Sequence, residues 1–498
     1  MVYRGSGFAP AGARNCYEVI SAWPAYREVM AKVRKVILKV RAGSPSLRGL
    51  ARACGPSPSS SPPSSDLIDS LRIQVGRKLK LSRAQVEQRH PASPWRFQLV
   101  RRIVDLADDP DKAIGKWLEF GTPVGIAETV EPGGLLPLIT EERTSSIDEL
   151  QARVQWTTNH PSFDSLEADS SSPTAPAHAL LASLVDEGHA LLFESRDDAA
   201  KYLGTDPVPS PLGDVVKLKP DGSVKHRLIQ DLRASAVNSA SVVSERQVLP
   251  RFIDHARDVA LASRGGDQVG VFVIDFQNAF MTLPLAKAEQ PFNTSVAPHV
   301  VHRSRQALYQ NEPSSGKFLV WRVLGFGGHS NPLTYSRVAT FAARSGQALL
   351  LNNPSGSDLA EGRLQLYVDD PVVTLRGSES QQEATIDLLL LWWLCLGIPL
   401  AWAKGDFVSG LSPPRVDWCQ VLVAFSQYVH HVLACILSGI LVGSGPSFHR
   451  PHFEDHFAQG RALALWEGWS PISGDPHARN RSSCSCSPVS QVPFVRLV

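Results

Sequence analysis

A mixed α/β fold, α+β in stricter usage, is predicted by three segments of this 498-residue chain. The run Val269 to Ile274 is almost continuously apolar, as a strand buried on both faces must be, and it ends in Asp275. Leu364 to Leu375 reads as two short apolar strands joined by a turn, which makes an antiparallel hairpin with Tyr367-Val368-Asp369-Asp370 at its reversal. After Asn331, the residues Val338, Phe341, Ala342 and Leu349 recur at helical spacing, with Asn331 suited to the N-cap and Pro332 to the first helical position.

Each element carries chemistry-bearing residues. Adjacent strand residues point to opposite faces, so Asp369 and Asp370 converge on one cation only where the chain reverses. The flanking β-branched residues and Pro371 favour that reversal. A charge at the end of a buried strand, as at Asp275, is costly unless it is solvated, paired or bound to a metal. The cluster Gly325, Gly327 and Gly328 before the helix would let backbone approach a sugar or base closely. Upstream, Lys217 to Arg233 holds five Lys or Arg against two Asp.

Together these runs resemble the motifs of a reverse transcriptase, in the family's order, over roughly residues 217 to 422. Asp275 with Phe276 to Leu285 is similar to motif A, and Tyr367 to Asp370 to motif C. Lys225-His-Arg227-Leu-Ile-Gln-Asp231-Leu-Arg233, followed by Asn238, resembles the fingers hairpin. Leu324 to Pro332 resembles motif B, Leu396 to Gly405 motif D, and Val416 to Leu422, with Trp418, the primer grip. The resemblance implies a right hand of fingers and palm, with an antiparallel palm sheet backed by helices. It implies an RNA-directed DNA polymerase that extends a primer 3′-hydroxyl on an RNA or DNA template with dNTPs.

Such phosphoryl transfer uses two divalent cations about 3.5 to 4 Å apart, bridged by carboxylates. Asp275 and Asp369 are then the expected bridging ligands, with Asp370 supporting them and the Phe276 carbonyl as a further hard oxygen. Magnesium is the expected ion, with manganese as an alternative. Lys404 would protonate the leaving pyrophosphate, while Arg227 and Lys225 would neutralise the triphosphate, Arg227 bidentately. Phe280, five residues after Asp275, would be an aromatic wall against a ribose 2′-hydroxyl, where palm-class RNA polymerases place a second Asp. Phe326 and Gly327 would face the nucleotide, although Phe326 stands where many reverse transcriptases carry Gln. That departure, and the lack of a recognisable thumb, keeps a second expectation open: an inactive relic that only binds nucleic acid, or a chain whose thumb is supplied by a partner subunit.

Composition sets the outer limits. The chain is 43% hydrophobic and 20% charged with net charge +2, enough to bury a large core in two or three domains. Residues 1–84 are expected to be a basic, partly disordered arm, since residues 1 to 65 hold ten Lys or Arg and only Glu18 and Glu28. Such an arm suits phosphate-backbone binding or organelle targeting. Residues 85–164 read as an extension module without nameable chemistry, 165–178 as a linker, 179–425 as fingers and palm, and 426–498 as an apolar segment with a polar tail. Seven cysteines form no Cys-x-x-Cys pair, which points away from zinc knuckles and a disulfide framework and towards a nuclear or cytoplasmic setting. Leu388 to Ala403 is expected to be a buried helix running into a strand, and Val421 to Val442 is long enough to span a membrane but is interrupted by Gln427, His430 and His431.

Overall fold

The computed structural model describes residues 16–152, 159–164, 176–218, 222–264, 266–297, 317–351 and 358–411. The chain divides into two units, Met1–Phe425 and Ser426–Val498, and all described residues belong to the first. The described N-terminal helices are α1 (Cys16–Ser21), α2 (Pro24–Gly43), α3 (Ser65–Lys78), α4 (Arg83–Glu87), α5 (Phe97–Leu106), α6 (Ala113–Phe120), α7 (Ile147–Ala152), α8 (Pro161–Asp164) and α9 (Pro176–Asp186). Then follow β1 (Ala190–Phe193), α10 (Arg196–Leu203), β2 (Leu212–Leu218), β3 (Val224–Gln230), α11 (Val237–Ala240), α12 (Phe252–Ser263), β4 (Val269–Val273), β5 (Thr294–Ala297) and β6 (Lys317–Trp321). The last elements are α13 (Asn331–Leu350), β7 (Glu361–Tyr367), β8 (Asp370–Arg376), α14 (Glu379–Leu396) and β9 (Asp406–Leu411).

The expected antiparallel sheet is present, in the order β7-β8-β4-β9. Its two faces are covered by different helices, and single side chains show which. On β4, a Cβ at Gly270 would press on Gln382 of α14, while Phe272 joins the main core. On β7, the Leu364 N–H donates to Gln347 of α13 (2.8 Å), whereas the next residue, Gln365, donates to Asp258 of α12 (2.8 Å). The alternation of a strand therefore assigns α13 and α14 to one face and α12 to the other. A second sheet, β1-β6-β5, and the two-stranded β2-β3 hairpin complete the described sheets, and all their pairings are antiparallel.

Three expectations need correction. The described part of the supposed basic arm, from residue 16 to 84, is largely helical: Val29, Met30, Val33 and Ile37 on α2 recur every three or four residues and are buried in the same core as the sheet. Its arginines are used inward, Arg34 donating to the Leu351 carbonyl just past α13 (2.9 Å) and Arg72 to the Leu394 and Cys395 carbonyls at the end of α14 (2.9 and 3.0 Å). The cap of α13 is Ser330, one residue earlier than expected, because the Asn331 side chain turns back to donate to the Gly325 carbonyl (2.8 Å). Helix α9 also begins at Pro176, inside the expected linker.

Leu388 to Leu396 falls in the buried α14, as its composition demanded, and Leu400 beyond it bridges to Phe276. No described helix is long and apolar enough to cross a membrane. Val421 to Val442 and the primer-grip residue Trp418 lie outside the described residues.

Candidate active site

The β4-β8 register brings the two acidic segments together. Val273 pairs with Val372, and the ladder runs on past the strand: the Ile274 N–H donates to the Pro371 carbonyl (3.3 Å) and the Phe276 N–H to the Asp369 carbonyl (2.9 Å). Continued by two residues, this register sets Asp275 opposite Asp370. On its other side Asp275 is fixed by 399–401, where the Ala401 N–H donates to its carbonyl (2.9 Å). Phe276 is buried edge-on against Trp393 of α14 (5.2 Å), so the backbone at this point has little freedom.

The hairpin tip is a two-residue connection, Val368-Asp369, between the paired Tyr367 and Asp370. Val368 takes φ 57°, a left-handed conformation that β-branched residues avoid. The reversal therefore rests on Val368 and Asp369, while Pro371 already pairs with Leu366 inside the ladder.

Electrostatics mark the cluster as short of positive charge. Asp369 and Asp370 are both partly buried. Burial, and then the charges of Asp369 and Asp275, push the Asp370 carboxyl up to about 9. Asp369 is raised to about 6 by burial and by Asp275, against the opposing pull of Lys404 and Arg227. Lys404, on the short turn before β9, is ion-paired to Asp275. Among the described residues no group of three His, Cys, Asp or Glu side chains is gathered tightly enough to hold a metal ion. The donor set is nonetheless all hard oxygen, and burial together with mutual repulsion raises two of its members, a penalty on the charged form that a divalent cation relieves.

The basic hairpin and the aromatic wall flank this cluster. In the β2-β3 register Lys217 faces Lys225 and Val215 faces Arg227, so Lys217, Lys225 and Arg227 share one face. Arg227 lies near enough to lower the Asp369 carboxyl. Phe280 stands edge-on to Phe326 (5.8 Å) and to Tyr335 of α13 (5.2 Å). Gly327 has φ 119°, and a Cβ there would come within 2.0 Å of the Gln230 carbonyl at the end of β3. This glycine thus permits close docking of the loop before α13 onto the fingers hairpin.

Two groups were missed. Tyr335 is fully buried and its hydroxyl is raised well above its ordinary value, by burial first and then by Asp369, Asp275 and Asp370. Its place in the helical pattern reads as plain core, so only the fold reveals its neighbours. The second group is Glu289, whose buried carboxylate accepts N–H bonds from Val124, Ile126, Ala127 and Glu128 (3.1–3.3 Å) and ties the N-terminal extension to the region after motif A. Burial raises its carboxyl despite the four bonds.

Residues 218–431 match the family model described as Reverse transcriptase (RNA-dependent DNA polymerase), and this part of the chain is a reverse transcriptase domain. The family is one of nucleotidyltransferases, RNA-directed DNA polymerases that work with divalent metal ions. Among solved structures, the chain is similar to the foamy viral protease-reverse transcriptase dRH in complex with double-stranded DNA, at 17% identity and TM-score 0.31, over 61% of this chain and 40% of that one. No curated protein matches.

Proposed function

We propose that this chain is an RNA-directed DNA polymerase of retroelement descent, extending a primer 3′-hydroxyl with deoxynucleoside triphosphates along an RNA or DNA template. The observation that carries this reading is the alignment of Asp275 opposite Asp370, with Asp369 at the adjoining hairpin tip. Asp275 and Asp369 would hold two magnesium ions, with Asp370 in support and the Phe276 carbonyl as a further oxygen ligand. When bound, such ions activate the primer oxygen and offset the charge of the leaving pyrophosphate.

The other steps belong to the chain itself. Arg227 and Lys225 on one face of the fingers hairpin bind the triphosphate oxygens. Lys404 carries a proton at Nζ, beside Asp275, that it can give to the departing pyrophosphate. Phe280, held between Phe326 and Tyr335, presents a ring with no hydrogen-bonding group to the sugar, which disfavours a 2′-hydroxyl.

Primer extension on an RNA template with magnesium tests the reading. Asp275→Ala or Asp369→Ala is expected to abolish synthesis while template–primer binding stays near wild type, because binding rests on phosphate contacts elsewhere. Asp370→Asn is expected to be the mildest of the aspartate changes. Template binding without Asp369-dependent synthesis would leave a binding protein in place of the polymerase.

A further inference from the structure

The N-terminal extension reaches the loop that precedes α13 in the nucleotide site. Residues 242–245 are bonded to two stretches of that extension. Val130 bridges to Val243, and the Val242 N–H donates to the Gly125 carbonyl (3.0 Å). Leu138 bridges to Glu245, and the Ile139 N–H donates to the Ser244 carbonyl (3.0 Å).

From this junction three groups close on the loop 326–330. Asn238 spans it, its Nδ2 donating to the Gly327 carbonyl and its Oδ1 accepting from the His329 N–H, both at 2.9 Å. Ser330 donates its hydroxyl to the Val124 carbonyl of the extension (2.8 Å). The imidazole of His329 meets the Glu141 carboxylate, with Nε2 3.1 Å from Oε1. The same carboxylate accepts the Val243 N–H through Oε2 (3.1 Å), so Glu141 joins the loop to the 242–245 segment.

We propose that Glu141 and His329 form a clasp by which the N-terminal extension positions the loop carrying Phe326 and Gly327, and so sets the affinity for the incoming nucleotide. The proposal rests on the polymerase reading given above. Neither residue is placed against substrate; both are positioning residues. The loop is also held by Asn238, by Ser330 and by the Gln230 N–H, which donates to the Phe326 carbonyl (3.0 Å); the clasp adds a side-chain tie at His329, next to the glycines at 327 and 328 that give this stretch its backbone freedom. The pair is partly solvent-exposed, so its effect is expected to be modest.

Two measurements on the full chain test the clasp. The first is equilibrium binding of a dNTP to the protein with a dideoxy-terminated primer–template, which needs no turnover. Glu141→Gln and His329→Ala are each expected to weaken dNTP binding about fivefold, and the double variant no further than either single one. The second is amide hydrogen exchange, expected to speed up over 326–330 in both single variants while the rest of α13 stays protected. Unchanged exchange, unchanged nucleotide affinity or losses that multiply in the double variant would each overturn the clasp. A wild type that binds dNTP normally but never extends a primer would overturn the polymerase reading and leave the clasp standing; one that binds no dNTP would overturn both.

Discussion

At the scale of single residues, the turn between β7 and β8 holds a measurable strain. Val368 sits at φ 57°, where a Cβ crowds the following carbonyl at a cost of about 1–2 kcal/mol. Its side chain also packs against the core, so deleting the side chain mixes two effects. Comparing Val368→Gly with Val368→Ala separates them, since both lose the packing and only glycine escapes the backbone penalty. The glycine variant is expected to be the more stable by about 1 kcal/mol in chemical denaturation; equal stabilities would mean that the turn is not strained. Asp275, Asp369 and Asp370 were legible in the sequence because a strand end and a chain reversal are local signals. Tyr335 and His329 were not, since what distinguishes them is a partner 55 residues away at Phe280 or 188 residues away at Glu141.

Among the elements, α13 departs furthest from the sequence pattern. An apolar stripe at 338, 341, 342 and 349 suggests one buried face, but every residue of the helix except Pro332 is buried. Thr334, Thr340 and Ser345 bond to carbonyls of their own helix, but its two arginines meet distant partners that no local periodicity could announce. Arg337 is paired bidentately with Asp111, and Arg344 directs two nitrogens to the Oδ2 oxygen of Asp109, both carboxylates lying in the turn after α5. Burial outweighs the guanidinium at Asp109 and holds its carboxyl above the ordinary value. Arg344→Met, which keeps most of the volume, is expected to cost about 3–5 kcal/mol by leaving Asp109 buried without its cation. Adding Asp109→Asn should recover most of that loss, because an amide can stay neutral and still accept the Asp111 N–H. Urea titrations of the single and double variants check this, and a double variant no better than Arg344→Met would show that Asp109 is not what the arginine serves.

For the molecule as a whole, the strand and hairpin signals foretold the four-stranded sheet, whereas the packing of helices between residues 16 and 152 into the same core had no counterpart in a local reading. Charge asymmetry near the N-terminus suggested an arm because arginines normally stay solvated; here several cap helix ends or meet buried carboxylates. One buried group gives the unit a defined acid response. His255 on α12 is pushed down to about 3 by burial. Its unfolded form titrates near 6.5, so between about 6.5 and 3 the unfolded chain takes up a proton that the folded chain refuses, and stability falls as pH falls. At pH 5 this amounts to about 2 kcal/mol. His255→Gln is expected to flatten the stability profile by that amount between pH 7.5 and 5; parallel profiles would show that His255 is not the group responsible.

The bonds from Arg34 to the end of α13 and from Arg72 to the end of α14 join residues 317 and 323 positions apart. During synthesis, α2 and α3 emerge with their apolar faces bare, long before their partners exist. At about 5–20 residues per second, α3 waits roughly fifteen seconds to a minute for α14. Over that interval α2 and α3 have each other to pack against, while the surfaces they will turn to α13 and α14 stay open to water.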